Sequence, residues 1–230
     1  MKQSFVWAVV AILGITLSSK ASVIWDLSTF TGSEIGVNVV VEDDSNPNTL
    51  RITATVTPDG ENTVGDLRGI FFTVNGGSSE ISADMFSGVG FSLNTGSQVC
   101  IGTEIIGCGG GDNALNGGGP SNPIPAGSFH VGIEIGTSGI GGGDDFPSAV
   151  ILFNYGALGL SAEDLGPFGA RVTSVGTGAS RSGSSKLYGG IPQLSDDETE
   201  VPEPSTWLTL SAGLGFLALA RLRRSLARRS

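Results

Sequence analysis

Glycine limits what this chain can fold into more than any other feature. It occupies 37 of 230 positions, and all but three of these (Gly14, Gly213 and Gly215) stand between residues 22 and 200. An interior glycine costs a helix about 1 kcal/mol relative to alanine. This stretch also holds a single lysine, so it is poor helix material. Its apolar residues fall instead into short β-branched or alternating runs, and those at 37–41, 50–56, 69–74, 129–135, 149–153 and 168–175 read as strands. In the second run Leu50, Ile52, Ala54 and Val56 share one face while Arg51, Thr53 and Thr55 share the other. That is the pattern of a strand with one wet face. Turn clusters separate the runs at 43–48, Pro58-Asp59-Gly60, Asn75-Gly76-Gly77 and 138–145. Strands at this spacing, with no helices between them, predict an all-β fold: a single jelly-roll-like β-sandwich. No fixed-period repeat points to a solenoid or propeller.

The two ends follow different rules. Lys2, an uncharged stretch at 5–17, and Ser19-Lys20-Ala21 make a signal peptide with small residues at −3 and −1, to be cut between Ala21 and Ser22. Its thirteen apolar residues are short for a transmembrane helix. At the other end, Val201-Pro202-Glu203-Pro204-Ser205 precedes an apolar run at 206–220 and then Arg221, Arg223, Arg224, Arg228 and Arg229. The prolines fix φ near −65° and remove backbone donors, so they present an extended peptide. The run has the make-up of a membrane helix. It reaches about 22 Å against a hydrocarbon core of about 30 Å, and Leu222 with snorkelling arginines extends it. The arginines place the C-terminus in the cytoplasm. Residues 1–21, 22–194, 195–201 and 202–230 are then signal peptide, exported β-sandwich, acidic stalk and C-terminal signal. In the stalk Asp196, Asp197, Glu198 and Glu200 repel one another.

This tripartite end resembles the PEP-CTERM sorting signal of Gram-negative surface proteins, with Pro202, Glu203 and Pro204 intact. The resemblance implies recognition by exosortase, a membrane-embedded cysteine transpeptidase that cuts near the motif and releases the hydrophobic tail. Export would use the Sec translocation machinery, and the helix at 206–220 would hold the chain in the inner membrane transiently or as a retained anchor. An ordinary single-pass anchor on a Pro-rich stalk is the alternative. Three internal segments, 65–72, 131–145, and 168–175 with 184–187, resemble blocks that recur in other exported PEP-CTERM proteins. That likeness implies a shared β-rich surface domain.

Setting the ends aside changes the charge. Arg51, Arg68, Arg171, Arg181 and Lys186 remain against all 22 carboxylates, a balance of five to 22, or −17, where the whole chain carries −10. Such a surface repels nucleic acid and anionic lipid. It suits divalent cations, neutral polysaccharide or plain solubility.

Few residues offer chemistry. Cys100 and Cys108 are the only cysteines, and in an exported protein they are expected to form a disulfide worth about 2–3 kcal/mol. A metal site would need partners they lack, because His130 is the only histidine. Alternation places His130 opposite Phe129 and Val131, on the solvent side, and no serine–histidine–carboxylate order is defensible. The stretch at 107–127 reads as a mobile glycine-rich loop. Acidic turns gather hard oxygen ligands, with Asp43 and Asp44 in one and Asp144 and Asp145 in another, and these are speculative calcium ligands. Ordinary Asx-turns explain them equally well. Only Trp25, Tyr155 and Tyr188 are available for sugar stacking, which weighs against glycosidases and aromatic-platform binders. The sequence therefore points to a non-enzymatic, exosortase-processed protein of the cell surface or extracellular matrix, associated with exopolysaccharide and needing no cofactor. A calcium-dependent adhesion or carbohydrate-binding module and a secreted hydrolase are the alternatives.

Overall fold

In the first strands every second side chain is apolar, and that period builds one wall of the domain. The computed structural model describes residues 22–77, 79–108, 114, 115, 124, 129–136, 145–178 and 180–194. Its strands are β1 (Ser22–Gly32), β2 (Gly36–Asp43), β3 (Thr49–Thr57), β4 (Val64–Val74), β5 (Phe86–Val89), β6 (Val99–Ile101), β7 (Val131–Glu134), β8 (Ser148–Asn154), β9 (Leu165–Thr177), β10 (Ser180–Gly189) and β11 (Gln193–Leu194). Two one-turn 3₁₀ segments, Ala83–Met85 and Ala162–Asp164, are the only helical elements among the described residues. At the second, the Ser161 amide and hydroxyl both donate to Asp164 Oδ2 at 2.8 Å.

Val23, Trp25 and Leu27 of β1 face Val41, Val39 and Val37 of β2. These in turn face Ile52, Ala54 and Val56 of β3. Beyond them Leu50, Ile52 and Ala54 meet Phe153, Ile151 and Ala149 of β8, and Phe86 of β5 closes that edge opposite Phe153. Apart from Thr49, the alternate residues of these strands are exposed or half-buried, so this wall is wet outside, as the sequence pattern of 50–56 predicts.

All pairings are antiparallel, and the strands form one continuous sheet in the order β5-β8-β3-β2-β1-β10-β9-β4-β7-β6, with β11 also on β1. The all-β expectation is met, but in place of two separate sheets there is a nearly closed, barrel-like one. The cause lies in β1. Its first half pairs with β2 and β11, its second half with β10, and the register slips between Thr29 and Thr31. A bulge of this kind bends and twists a strand, so β1 carries the sheet around the corner. Strands β5 and β6, consecutive in the chain, stand at the two ends of the order.

One core fills the interior. Trp25 lies 4.7 Å from Phe168, which stacks on Phe72 at 5.3 Å; Phe72 meets Phe86 at 6.1 Å, and Phe86 stacks on Phe153 at 4.6 Å (ring centroids). This aromatic chain joins both walls, and aromatic pairs add about 0.5–1.5 kcal/mol each beyond area burial. Strands β4 and β9 differ from the wet wall, because most of their residues are buried on both faces. Something therefore covers their outer side.

Candidate functional site

The outer face of β6, β7, β4, β9 and β10 carries two neighbouring cross-strand rows. The first reads Cys100, Gly132, Phe71, Gly169, Tyr188. Bulky residues alternate with glycine, and each glycine leaves a hole that the chain following β6 fills. A Cβ on Gly132 would stand 2.7 Å from Ile105 Cγ2 and 3.1 Å from Cys108 Cβ; one on Gly169 would stand 2.5 Å from Leu115 Cδ1 and 2.8 Å from Phe129 Cζ. Phe71, Cys108, Leu115 and Phe129 are buried there as a second apolar cluster, with Cys100, Ile105, Ile124 and Tyr188 packed against it. Cys108, Leu115 and Ile124 belong to the stretch expected to be a mobile loop and pack in or against this cluster; most of that stretch lies outside the described residues. Burial in the same layer pushes the Tyr188 phenol above its ordinary pKa.

The second row reads Glu134, Gly69, Arg171, Lys186. Beside it Arg68 sits at a register shift and Asp66 pairs with Thr173. Asp66, Arg68, Glu134 and Arg171 are each less than a tenth exposed. Burying charge costs several kcal/mol per ion unless partners compensate, and contacts of Asp66, Arg68 and the Arg171 Nη1 offset part of that cost. Asp66 Oδ2 lies 3.5 Å from Arg68 Nη1 and accepts from Thr173 Oγ1 at 3.4 Å. Its Oδ1 accepts the Phe146 amide at 2.9 Å, while Leu67 N donates to Phe146 O at 2.9 Å. Arg171 Nη1 donates to Ser185 O at 3.1 Å across the β9–β10 bulge. The segments 65–72, 131–136, 168–175 and 184–187, distant in sequence, thus converge on one face. As arranged, the charges hold strands and the start of β8 together. Sequence reasoning passed over this cluster; its available signal was charge and glycine placed inside strand-like runs.

The acidic turns are also internally engaged. Asp44 Oδ1 accepts Asn46 N at 3.0 Å and Asn46 Nδ2 at 2.9 Å; Oδ2 takes Arg51 Nε at 2.9 Å and Nη2 at 2.6 Å. The Asn46 amide first, and Arg51 after it, hold this carboxyl below its ordinary pKa of 3.8. Asp145 Oδ1 meets Arg181 Nη2 at 2.5 Å, and that contact raises the guanidinium pKa. Asp43 ends β2 opposite Leu50. Asp144 lies outside the described residues. Among the described residues no three His, Cys, Asp or Glu side chains group as metal ligands.

Cys100 and Cys108 form a disulfide with Cα atoms 5.6 Å apart. His130 is half-buried at the entry to β7, where Nδ1 lies 3.2 Å from Val74 N and 3.0 Å from Val74 O. Expected on the solvent side of a strand, it instead tethers the end of β4. A cavity of about 220 Å³ opens beside that end, lined by Val74, Asn75, Glu80, Ile81, Leu158 and Leu160 among others.

The ends of the domain meet. Val23 and Ile24 pair with Leu194 and Gln193, so the strand that starts at Ser22 and the strand that ends at Leu194 lie side by side. Ala21, Pro202, Glu203 and Pro204 lie outside the described residues, as do 206–220. No curated protein and no solved structure was found to match the chain. One family model matches, that of the PEP-CTERM protein-sorting motif, over residues 200–224. The chain therefore carries a PEP-CTERM protein-sorting motif at its C-terminus, which implies an exported protein processed by exosortase and attached at the cell surface.

Proposed function

We propose that this chain is a non-enzymatic protein of the cell surface or extracellular matrix, matured by signal-peptide removal and exosortase cleavage, and associated with exopolysaccharide. The observation that carries the reading is the sorting motif at 200–224. The acidic balance of residues 22–205 supports it, since a net negative exterior is compatible with neutral polysaccharide and disfavours nucleic acid. Support also comes from the ion pairs. Asp44 with Arg51, Asp66 with Arg68 and Asp145 with Arg181 spend their charges on holding turns and strands. The pairing of β11 with β1 suits a tethered domain, because both chain ends leave from one corner. In this reading 206–220 crosses the inner membrane with the arginines on the cytoplasmic side until cleavage.

Mass spectrometry of the mature protein from its native cell tests the reading. The expected product begins at Ser22 and ends near Pro202-Glu203-Pro204, with the processed form in the surface or matrix fraction. A C-terminus still at Ser230 would overturn the processing step. A correctly processed protein confined to the periplasm would overturn the matrix role alone.

A further inference from the structure

The cavity beside the end of β4 lies at a mouth of the barrel. Register brings the elements together there: Val74 of β4 pairs with Leu165 of β9, and Phe86 of β5 with Phe153 of β8. The walls come from the connection after β4, at 75–77 and 79–81, and from Leu158 and Leu160 after β8. Both connections are tied down. Asn75 N donates to Asp164 O at 2.8 Å, Leu158 N to Tyr155 O at 3.1 Å, and Tyr155 N to Asn48 O at 3.0 Å. Val74 and Ile81 are buried members of the main core, and Leu158 and Leu160 pack half-buried against it. The rim is polar and exposed at Asn75, Ser79 and Glu80. Gly76 and Gly77 hold φ of +90° and +92°, and a Cβ on either would meet no atom within 4 Å, so these two positions leave the opening clear.

The lining limits what such a space can hold. Ligand sites favour the mouths of β-barrels and set a few polar groups around an apolar surface. At about 220 Å³ this cavity falls below the roughly 300–1,000 Å³ that encloses a drug-sized molecule, so its ligand is smaller. Among the described lining residues Glu80 alone is charged and none is basic. None of them would neutralise a phosphate, a sulfate or a carboxylate. The Glu80 carboxylate accepts hydrogen bonds, while Asn75 and Ser79 both donate and accept. A hydroxyl serves either kind of partner, and its bond to a carboxylate is the stronger one. A single pyranose ring meets all of these terms: its C–H face suits Ile81, Leu158 and Leu160, and its hydroxyls suit the rim. We propose that this mouth is a binding subsite for one neutral sugar unit of a polysaccharide. The proposal rests on the exopolysaccharide reading above. It places the contact on aliphatic side chains, in a domain with few aromatic ones to offer.

Equilibrium binding of the mature protein, purified from its native cell, to the exopolysaccharide of that cell tests this, with neutral and uronate-bearing fractions presented separately. The native protein should hold the neutral fraction. Glu80→Gln should weaken that binding about ten- to a hundredfold by removing the charged acceptor. Leu160→Glu, which sets a carboxylate in the apolar floor, should weaken it by about tenfold or more. Thr53→Glu, on the outer face of β3, should bind as the native protein does. Equal binding by all four proteins would overturn the subsite and leave the polysaccharide association standing. A protein found in the matrix that binds neither fraction would overturn the subsite without touching the location. Binding to the uronate-bearing fraction alone would overturn it too, as would loss in Thr53→Glu with Glu80→Gln unaffected. Glu80 is exposed, so Glu80→Gln should keep the native melting temperature and carry the test even if Leu160→Glu does not fold.

Discussion

Gly169 lies directly opposite Phe71 on the neighbouring strand, and the space above it is filled by Leu115 and Phe129. A methyl group at Gly169 would sit 2.5 Å from Leu115 Cδ1, which demands that the layer move. Gly169→Ala is therefore expected to destabilise the protein by about 1–3 kcal/mol, the usual cost of overpacking. Denaturant titration measures this, and an unchanged midpoint would mean the layer yields at no cost.

Phe168 makes the opposite test, from the inside of the same strand. It contacts Trp25 at 4.7 Å and Phe72 at 5.3 Å with no exposed surface. Phe168→Ala leaves a cavity in the middle of the aromatic chain and should cost about 3–5 kcal/mol. A change in Trp25 emission should accompany it, and a loss below about 1 kcal/mol would contradict the packing described.

Asp44 links stability to pH. Its carboxyl is held below 3.8 by the Asn46 amide and Arg51. A lowered folded pKa gives stability that is fully present above the unfolded value and is lost as pH falls through the folded one. The melting temperature of the native chain should exceed that of Asp44→Asn by a constant margin above about pH 5, and the margin should shrink as pH drops below 3.8. A margin independent of pH would show that the ionised carboxylate is not the stabilising form.

Calcium has little to gain at the described acidic turns, because Asp44 is already bonded to Arg51 and Asp145 to Arg181. Adding millimolar calcium should move the melting temperature by less than about 1 °C relative to chelator. A larger, chelator-reversible rise would favour a calcium-dependent adhesion module instead.

Processing should depend on the stalk. In the chain, residues 195–199 lie between β11, which is paired to β1, and the sorting motif at 200–224. Deleting 195–199, which leaves the matched motif whole, should bring it closer along the chain to the barrel and slow exosortase cleavage several-fold. The ratio of precursor to mature protein on an immunoblot reads this, and an unchanged ratio would show that the barrel does not obstruct the enzyme.

Legibility in the sequence varied with what each strand buries. The run at 50–56 alternates apolar and polar residues, and 37–41 and 149–153 are short, largely β-branched apolar stretches; all three were plain. β1 carried the same signal in Val23, Trp25 and Leu27, and it was there to be read. β10 was not legible: Ser-Arg-Ser-Gly-Ser-Ser-Lys-Leu-Tyr-Gly has almost no apolar alternation, and backbone pairing to β1 and β9 makes it a strand. The disulfide was readable from compartment and count. The buried charges of Asp66, Arg68, Glu134 and Arg171 were not, because each looks like an ordinary surface residue until the strands that bear them are placed side by side.

By itself the sequence determined the class of fold, the acidic exterior and the sorting signal. These depend on local composition, on period and on a linear motif read as an extended peptide. Only the tertiary structure decided how the strands close into one sheet, which glycines serve as a floor, and where the internal charges meet. Those are matters of register between segments more than a hundred residues apart, such as Asp66 with Thr173 and Val23 with Leu194, and a one-residue slip would send every side chain to the other face.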